Sequence, residues 1–414
     1  MPRGANLPAI AAFNETVVLD AIRRSGHGMS RVELVGRTGL SAQTVTNVSR
    51  RLLGQGLIRE AGKQIDGPGK PRTILELEPT GSYAVGVHLD PTVITVVLLD
   101  LEGSVVEHLR RHSPVSGDSG ETIAIAAEAI AELLARSGVD RPRVSGVGVA
   151  APGPIDVGNG VVVRPPLIPG WNDLHLRDEL TAATGLPSLL AKDVTAAAVA
   201  ERWRDPAGAS GNFVFVYYGT GVGVGMVLAR EVYTGASQNA GDVGHAIVDP
   251  GGALCACGRR GCYGESVRPY RLVMQGIWAG ALAAPGGVTV PDGTDLDLDV
   301  EAVDELFTEL TRAADAGDAA AASILDRSIR NSALYLSNLA ALLDVDRIVF
   351  GGPSWARVEQ RYLAQLPERM REIDMSILTH PVDLASSAVG EDVAAVGAAC
   401  LVLDAAFSPR ANLV

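Results

Sequence analysis

A chain of 414 residues that is 47% apolar and 20% charged, with a formal net charge of −13, is globular in composition and long enough for two or three hydrophobic cores. Met1–Thr16 lacks the apolar heart of a secretory signal, being broken by Pro2, Gly4, Pro8 and Asn14. The longest apolar run, Val93–Leu101, includes Thr95 and Asp100 and falls well short of a membrane span of about 20 residues; the expectation is a cytoplasmic protein with no membrane partner. Charge is unevenly placed. Residues 1–78 carry eleven Lys/Arg and seven Asp/Glu, net +4, leaving 24 basic and 41 acidic residues, net −17, for the remainder. One end suits a polyanion and the rest repels it.

The first segment reads as three helices and a wing. Pro8–Arg24 is apolar at Ile10, Phe13, Val17, Leu19 and Ile22 and stops at Ser25-Gly26. Ser30, with Glu33 three residues on, forms a capping box for a second helix that carries Val32, Leu34 and Val35 and ends at Gly39. Ser41 caps a third, Ala42–Leu53. Two helices joined by Thr38-Gly39-Leu40-Ser41 match a helix-turn-helix whose second helix enters the major groove of double-stranded DNA. On that helix Gln43, Thr44, Thr46 and Asn47 suit base edges and Ser49, Arg50 and Arg51 suit phosphates, while Val45, Val48 and Leu52 face the core. Strands at 57–60 and 72–77 flank a loop with Lys70 and Arg72, two cations on an extended backbone that fits a minor groove. Residues 1–80 are thus predicted to be a winged helix-turn-helix DNA-binding domain.

Beyond the boundary at Thr80–Tyr83, two stretches share a strand–turn–strand pattern, Gly86–Asp100 and Phe213–Leu228. Between them lie a strand at 105–112, a helix at 121–137, a glycine-bearing strand at 144–150 and a helix at 195–203. A repeated hairpin amid alternating strands and helices predicts a duplicated α/β unit with a cleft, its lobes spanning 81–205 and 206–414. Residues 285–300 read as an exposed loop, and 302–341 as two core helices.

Three of the four cysteines fall within eight residues, Cys255-x-Cys257-x4-Cys262, with His245 ten residues earlier. Three thiolates and an imidazole form a closed tetrahedral set, which reads as structural Zn²⁺. Cys400, in an Ala/Val-rich segment, reads as a small core residue, and Arg259 and Arg260 as solvated side chains.

Gly148–Asp156, Lys192–Glu201, Gly219–Gly225, Ala240–His245 and Cys255–Cys262 together resemble the ROK family of repressors and sugar kinases over nearly the whole chain. The resemblance implies a winged helix fused to the two-lobed, actin-like, ribonuclease-H-like sugar-kinase fold, since the family's repressors carry a DNA-binding extension at this end. It implies that Asp193 stands where kinases place the catalytic base, that His245 holds zinc with one ring nitrogen and addresses the sugar with the other, and that Gly153 lets the backbone approach the sugar. Lys192, Asp242 and Glu265 belong to the same pocket, yet depart from the pattern: Lys192 replaces Asn, Asp242 replaces Glu, and Gly264 replaces Glu with Glu265 beside it. An acidic or phosphorylated sugar would pair with Lys192.

The family's first phosphate loop, Asp-x-Gly-Gly-Thr, is here His88-Leu89-Asp90-Pro91-Thr92. Histidine is a poor Mg²⁺ ligand, Asp90 repels phosphate and Pro91 lacks an amide hydrogen. The second loop, Gly219–Gly225, and the adenosine-side turn Ile348–Pro353 match. The reading is a non-enzymatic regulator, of repressor type, that binds operator DNA as a homodimer or homotetramer and responds to a sugar-like effector. A sugar kinase that has kept activity, and a constitutive DNA-binding protein with a vestigial domain, stand as alternatives.

Overall fold

The computed structural model describes residues 7–64, 71–114, 117–166, 168, 170–204, 211–373 and 378–408. It opens with helices α1 (Leu7–Ser25), α2 (Arg31–Thr38) and α3 (Ala42–Gly54) and a three-stranded antiparallel sheet of β1 (Met29–Ser30), β2 (Ile58–Gln64) and β3 (Arg72–Leu77), in the order β1-β3-β2. The local signals act as expected. Ser30 and Glu33 bond reciprocally, the Ser30 amide reaching Glu33 Oε2 at 2.7 Å, and Gly39 terminates α2 at φ 70°. The Ser41 hydroxyl accepts from the Thr44 amide at 3.1 Å to start α3. On α1 the inward face is Val18, Leu19 and Ile22, whereas Phe13 is exposed. Val32, expected on the apolar side of α2, is also exposed, because one apolar row through Leu34 suffices for so short a helix.

The rest holds two five-stranded sheets of the same topology. The first comprises β4 (Tyr83–Leu89), β5 (Val93–Asp100), β6 (Val105–His112), β7 (Val144–Ala151) and, after the short pair β8 (Ile155–Asp156) and β9 (Val161–Val162), β10 (Ser188–Lys192), in the order β10-β7-β4-β5-β6. The second comprises β11 (Phe213–Tyr218), β12 (Val222–Leu228), β13 (Glu231–Tyr233), β14 (Arg347–Gly351) and β15 (Asp383–Ser386), in the order β13-β12-β11-β14-β15. Each is an antiparallel meander extended by two parallel strands, so the repeated hairpin marks a repeated sheet.

Helices α4 (Ser119–Ser137), α5 (Leu176–Thr184) and α6 (Asp193–Arg204) follow strands of the first sheet. Later come α7 (Tyr263–Val267), α8 (Pro269–Trp278), α9 (Val300–Asp315), α10 (Ala319–Leu343), α11 (Glu359–Glu372) and α12 (Val393–Phe407). Alternation along each strand decides the layers. Val85, Val96 and Leu98 join a core with α4 and α5, and Val214, Val216 and Tyr218 join one with α8 to α11. Ala84, Val97 and Leu99 of one sheet and Phe213, Phe215 and Tyr217 of the other share a third core with α6, α12 and the N-terminal helices.

Helix α12 therefore packs on β4, β7 and α6, which the boundary drawn at residue 205 does not anticipate. Its backbone comes so close that a Cβ on Gly397 would lie 1.7 Å from Ala196 O, and one on Gly148 1.9 Å from Ala398 O. Cys400 is buried in this layer. Among the described residues no helix is long and apolar enough to cross a membrane.

Candidate functional site

The third helix presents a mixed polar face. Gln43, Asn47 and Arg50 are exposed, and Gln43 Nε2 donates to Asn47 Oδ1 at 3.1 Å, which aligns the two amides. Thr44 and Thr46 are half-buried; the Thr44 hydroxyl lies 2.8 Å from that of Ser41, and the Thr46 hydroxyl donates to Ala42 O at 2.8 Å. Both threonines thus serve the helix start and have less freedom than Gln43 or Asn47. Arg51 is exposed but paired with Glu15 of α1 at 2.7 Å. Ser49, expected at phosphates, is fully buried, and its hydroxyl has no partner among the described residues: it lies one residue past Val48 on the core side, away from the exposed face of the helix. Arg72 is exposed at the start of β3, opposite Gln64, and Lys70 lies outside the described residues.

The loop before α7 brings His245, Cys255, Cys257 and Cys262 together, their ligand atoms all within 4.8 Å of one another. His245 Nδ1 is 3.5 Å from Cys255 Sγ, and Cys257 Sγ is 3.6 Å from Cys262 Sγ. A tetrahedral zinc with Zn–S of about 2.3 Å and Zn–N of about 2.0 Å sets its ligands roughly 3.5–3.8 Å apart, so the donor set fits the ion. The loop is pinned by bridges pairing Ile247 with Cys262 and Leu254 with Arg260, and turns at Gly258, whose amide bonds Cys255 O. Burial pushes the Cys262 thiol up to about 12, while hydrogen bonds from the Arg259 amide and side chain bring Cys257 down to about 6. Arg259 is thus a partner of Cys257 and not merely solvated, and Arg260 donates to Gly252 O at 3.3 Å.

The carboxyl ends of the parallel strands β7 and β10 place Gly153, Lys192 and Asp193, at the position where open α/β sheets bind ligands. Lys192 closes β10 and is buried; its amine donates to Asn239 O at 3.3 Å. A Cβ on Gly153 would stand 3.0 Å from Lys192 Cε, so glycine there makes room for the lysine as well as for any ligand. Asn239, which the sequence pattern does not single out, joins the halves: its Oδ1 accepts from Ile155 N and its Nδ2 donates to Ile155 O, both at 2.7 Å. Asp193, half-buried at the first position of α6, accepts from the Val194 amide at 2.7 Å. Burial raises its pKa, against the opposing pull of His88 and Lys192. Asp242 is exposed and near Tyr335, whose phenol is raised chiefly by burial and then by that carboxylate.

Glu265 is placed differently from its expected sugar-contacting role. It is buried, with Oε1 accepting from Arg268 at 2.9 Å and Oε2 2.6 Å from Arg271 Nε. Both oxygens are committed to guanidinium groups, so a sugar hydroxyl would have to displace an arginine. Its displacement by one residue, with Gly264 inserted in the expected position, turns the side chain toward α8.

In the first loop, His88 and Asp90 are buried. Asp90 Oδ1 accepts from the Thr92 amide at 3.0 Å, and its Oδ2 lies 3.5 Å from the Thr220 hydroxyl in the opposite hairpin. The Tyr217 hydroxyl is buried without a partner among the described residues, and burial followed by Asp90 and Asp193 raises its pKa.

These two hairpins, two equal sheets and a Cys/His loop define a two-sheet α/β scaffold of sugar-kinase type with an added N-terminal helical unit. The ROK family model matches residues 84–405, and the chain belongs to the ROK family. A glucokinase of Halalkalibacterium halodurans is 29% identical over 324 residues, covering 77% of this chain and 94% of that protein. The xylose repressor of Bacillus subtilis is 28% identical over 255 residues, 61% of this chain and 65% of that protein, so the chain spans a little under two thirds of the repressor's length. A solved ROK family transcriptional regulator, a homologue of the E. coli MLC protein, shares the fold over 97% of both chains, with a TM-score of 0.75 at 23% identity. The ROK hexokinase of Thermus thermophilus covers 77% of this chain and 97% of its own, with a TM-score of 0.61 at 27% identity.

Proposed function

We propose that the protein is a DNA-binding transcriptional regulator of repressor type, in which a winged helix-turn-helix is controlled by a carbohydrate bound in a kinase-like cleft that no longer transfers phosphate. The observation that carries the reading is the unit ahead of the ROK domain: a capped helix pair and a β-hairpin, with Gln43, Asn47 and Arg50 exposed on the second helix of the pair. Gln43 and Asn47 suit adenine edges, and Arg50 and Arg72 suit phosphate. Two half-sites on one face of DNA call for an even-numbered oligomer.

In the cleft, Asp193 accepts a hydrogen bond from a sugar hydroxyl, Lys192 and Asp242 border the same space, and the Gly153 backbone approaches the ring. His245 Nδ1 turns to the thiolates, leaving Nε2 for the sugar. His245, Cys255, Cys257 and Cys262 would hold zinc, which would supply a structural anchor for this loop. The Asp90–Thr220 contact stands where phosphates would bridge the two hairpins, and an acidic group there opposes nucleotide.

Calorimetric titration with D-xylose, D-glucose and N-acetylmannosamine, sugars that relatives' names mention, tests the pocket; Asp193→Ala removes the binding of whichever sugar gives heat. A sugar-dependent release of ADP from ATP in a coupled assay would instead establish the kinase alternative, which the length of the glucokinase match favours.

A further inference from the structure

Helix α6 has two ends with different company. Asp193 is its first residue, and Arg202 and Trp203 lie in its last turn. Twelve residues at a 1.5 Å rise span roughly 18 Å, and nearly every side chain along it is buried. At the far end the Trp203 indole donates to Glu102 O at 3.3 Å, and Gly103, at φ 86°, leaves room for the ring, since a Cβ there would lie 2.4 Å from the indole nitrogen. Arg202 pairs with Asp404 of α12.

Over the face of Trp203 sits Arg23 of α1, its Cζ 4.0 Å from the ring centroid. Asp20, one turn earlier, holds that guanidinium at 2.8 Å and Arg24 at 2.7 Å. Leu19, Leu77, Leu403 and Phe407 surround the contact, and the core of the N-terminal unit is continuous with the α6–α12 layer. Helix α1 also touches the third helix, through Glu15 and Arg51. A single rigid path therefore runs from Asp193 along α6 to Trp203, across to Arg23 and along α1 to Arg51. Gly397, with no side chain against Ala196, locks α12 to the same rod.

We infer that Trp203 and Arg23 form the coupling contact through which ligand at Asp193 repositions α1 and the third helix. The inference rests on the sensor reading above. A shift of the start of α6 by ligand cannot be absorbed by compressing a buried helix, so the displacement appears at its other end, where the cation–π pair connects α6 to α1. The contact is a positioning one: neither residue borders the cleft or the polar face of the third helix.

Hydrogen–deuterium exchange on the full chain, with and without millimolar D-xylose, D-glucose or N-acetylmannosamine, tests it. In the unaltered protein, sugar slows exchange at residues 191–198 and alters it in 7–25 and 42–54. In Arg23→Met, which keeps an aliphatic stem on the ring, and in Trp203→Ala, the change at 191–198 persists while that in 7–25 falls about fivefold or more, and DNA affinity without sugar stays within about twofold. If Trp203→Ala fails to fold, Arg23→Met decides. A change that reaches 7–25 undiminished in Arg23→Met, or never reaches it in the unaltered protein, overturns the coupling and leaves the sensor reading standing. No change at 191–198 with any of the three sugars overturns both.

Discussion

Asp90, in the turn after β4, faces Thr220, in the turn after β11, with 3.5 Å between carboxylate and hydroxyl. The two hairpins meet through an acidic side chain of the protein itself, beside a proline that offers no amide hydrogen, and on the proposed reading this contact opposes a nucleotide. Titration with Mg²⁺ and a non-hydrolysable ATP analogue should therefore give no heat at millimolar concentration, and hexoses should stimulate no ADP release. Sugar-stimulated turnover above about 1 per second, the low end of kinase rates, would contradict this.

The Cys/His loop should hold one zinc per chain. Cys257→Ser removes a ligand without opening a core, so metal content by elemental analysis falls to near zero and the melting temperature drops by several degrees. Cys400→Ser, buried in the α6–α12 layer, keeps its metal but loses stability, because a hydroxyl is costlier to bury there than a thiol. Metal retained at full occupancy in Cys257→Ser would refute the ligand set.

On the third helix, Asn47→Ala and Gln43→Ala should each weaken specific operator binding by about 1–3 kcal/mol, with non-specific binding unchanged. Arg50→Ala should weaken binding to all sequences alike and reduce the salt slope by about 1. Ser49→Ala should leave DNA binding intact and stability unchanged or slightly raised, since the hydroxyl it removes is buried and unpartnered. Loss of DNA affinity in Ser49→Ala at unchanged stability would mean that the helix faces DNA by another side.

Burial raises the pKa of Asp193, so its charge opposes folding above that raised value. The penalty is relieved as pH falls through the folded-state value toward the unfolded value near ~3.9, below which both states are protonated. Asp193→Asn should accordingly raise the melting temperature at pH 7 by about 2 °C, with the gain shrinking on acidification, while abolishing sugar binding. Thermal scans across pH check it; a lower melting temperature at pH 7 would mean that the pull of His88, Lys192 and the Val194 amide on the carboxylate outweighs burial.

The parts legible from sequence are those fixed by local chemistry. Ser30, Glu33, Gly39 and Ser41 announce helix ends because capping is a matter of three or four neighbouring residues, and the Cys255–Cys262 spacing announces a ligand set for the same reason. The repeated hairpin foretold two sheets of one topology. What stayed hidden depends on contacts distant in the chain. The burial of Ser49 and exposure of Val32 follow from which faces α1 and β3 cover, and the diversion of Glu265 from Arg268 and Arg271 closing on it. The return of α12 to the first sheet, the Asn239 clamp on Ile155 and the stacking of Arg23 on Trp203 leave no periodic trace, since a single residue meeting a partner more than eighty positions away has no local pattern to disturb.

The central claim, DNA binding governed by a ligand at Asp193, is tested most directly by fluorescence anisotropy of the full chain on its own upstream DNA. The titration is run at fixed salt, because phosphate contacts make affinity steeply salt-dependent, with D-xylose, D-glucose and N-acetylmannosamine added in turn. One of them should shift the dissociation constant by about tenfold or more, roughly 1.4 kcal/mol of coupling, and Asp193→Ala should abolish the shift. Tight DNA binding that none of the three sugars moves, or a shift that survives in Asp193→Ala, would contradict it.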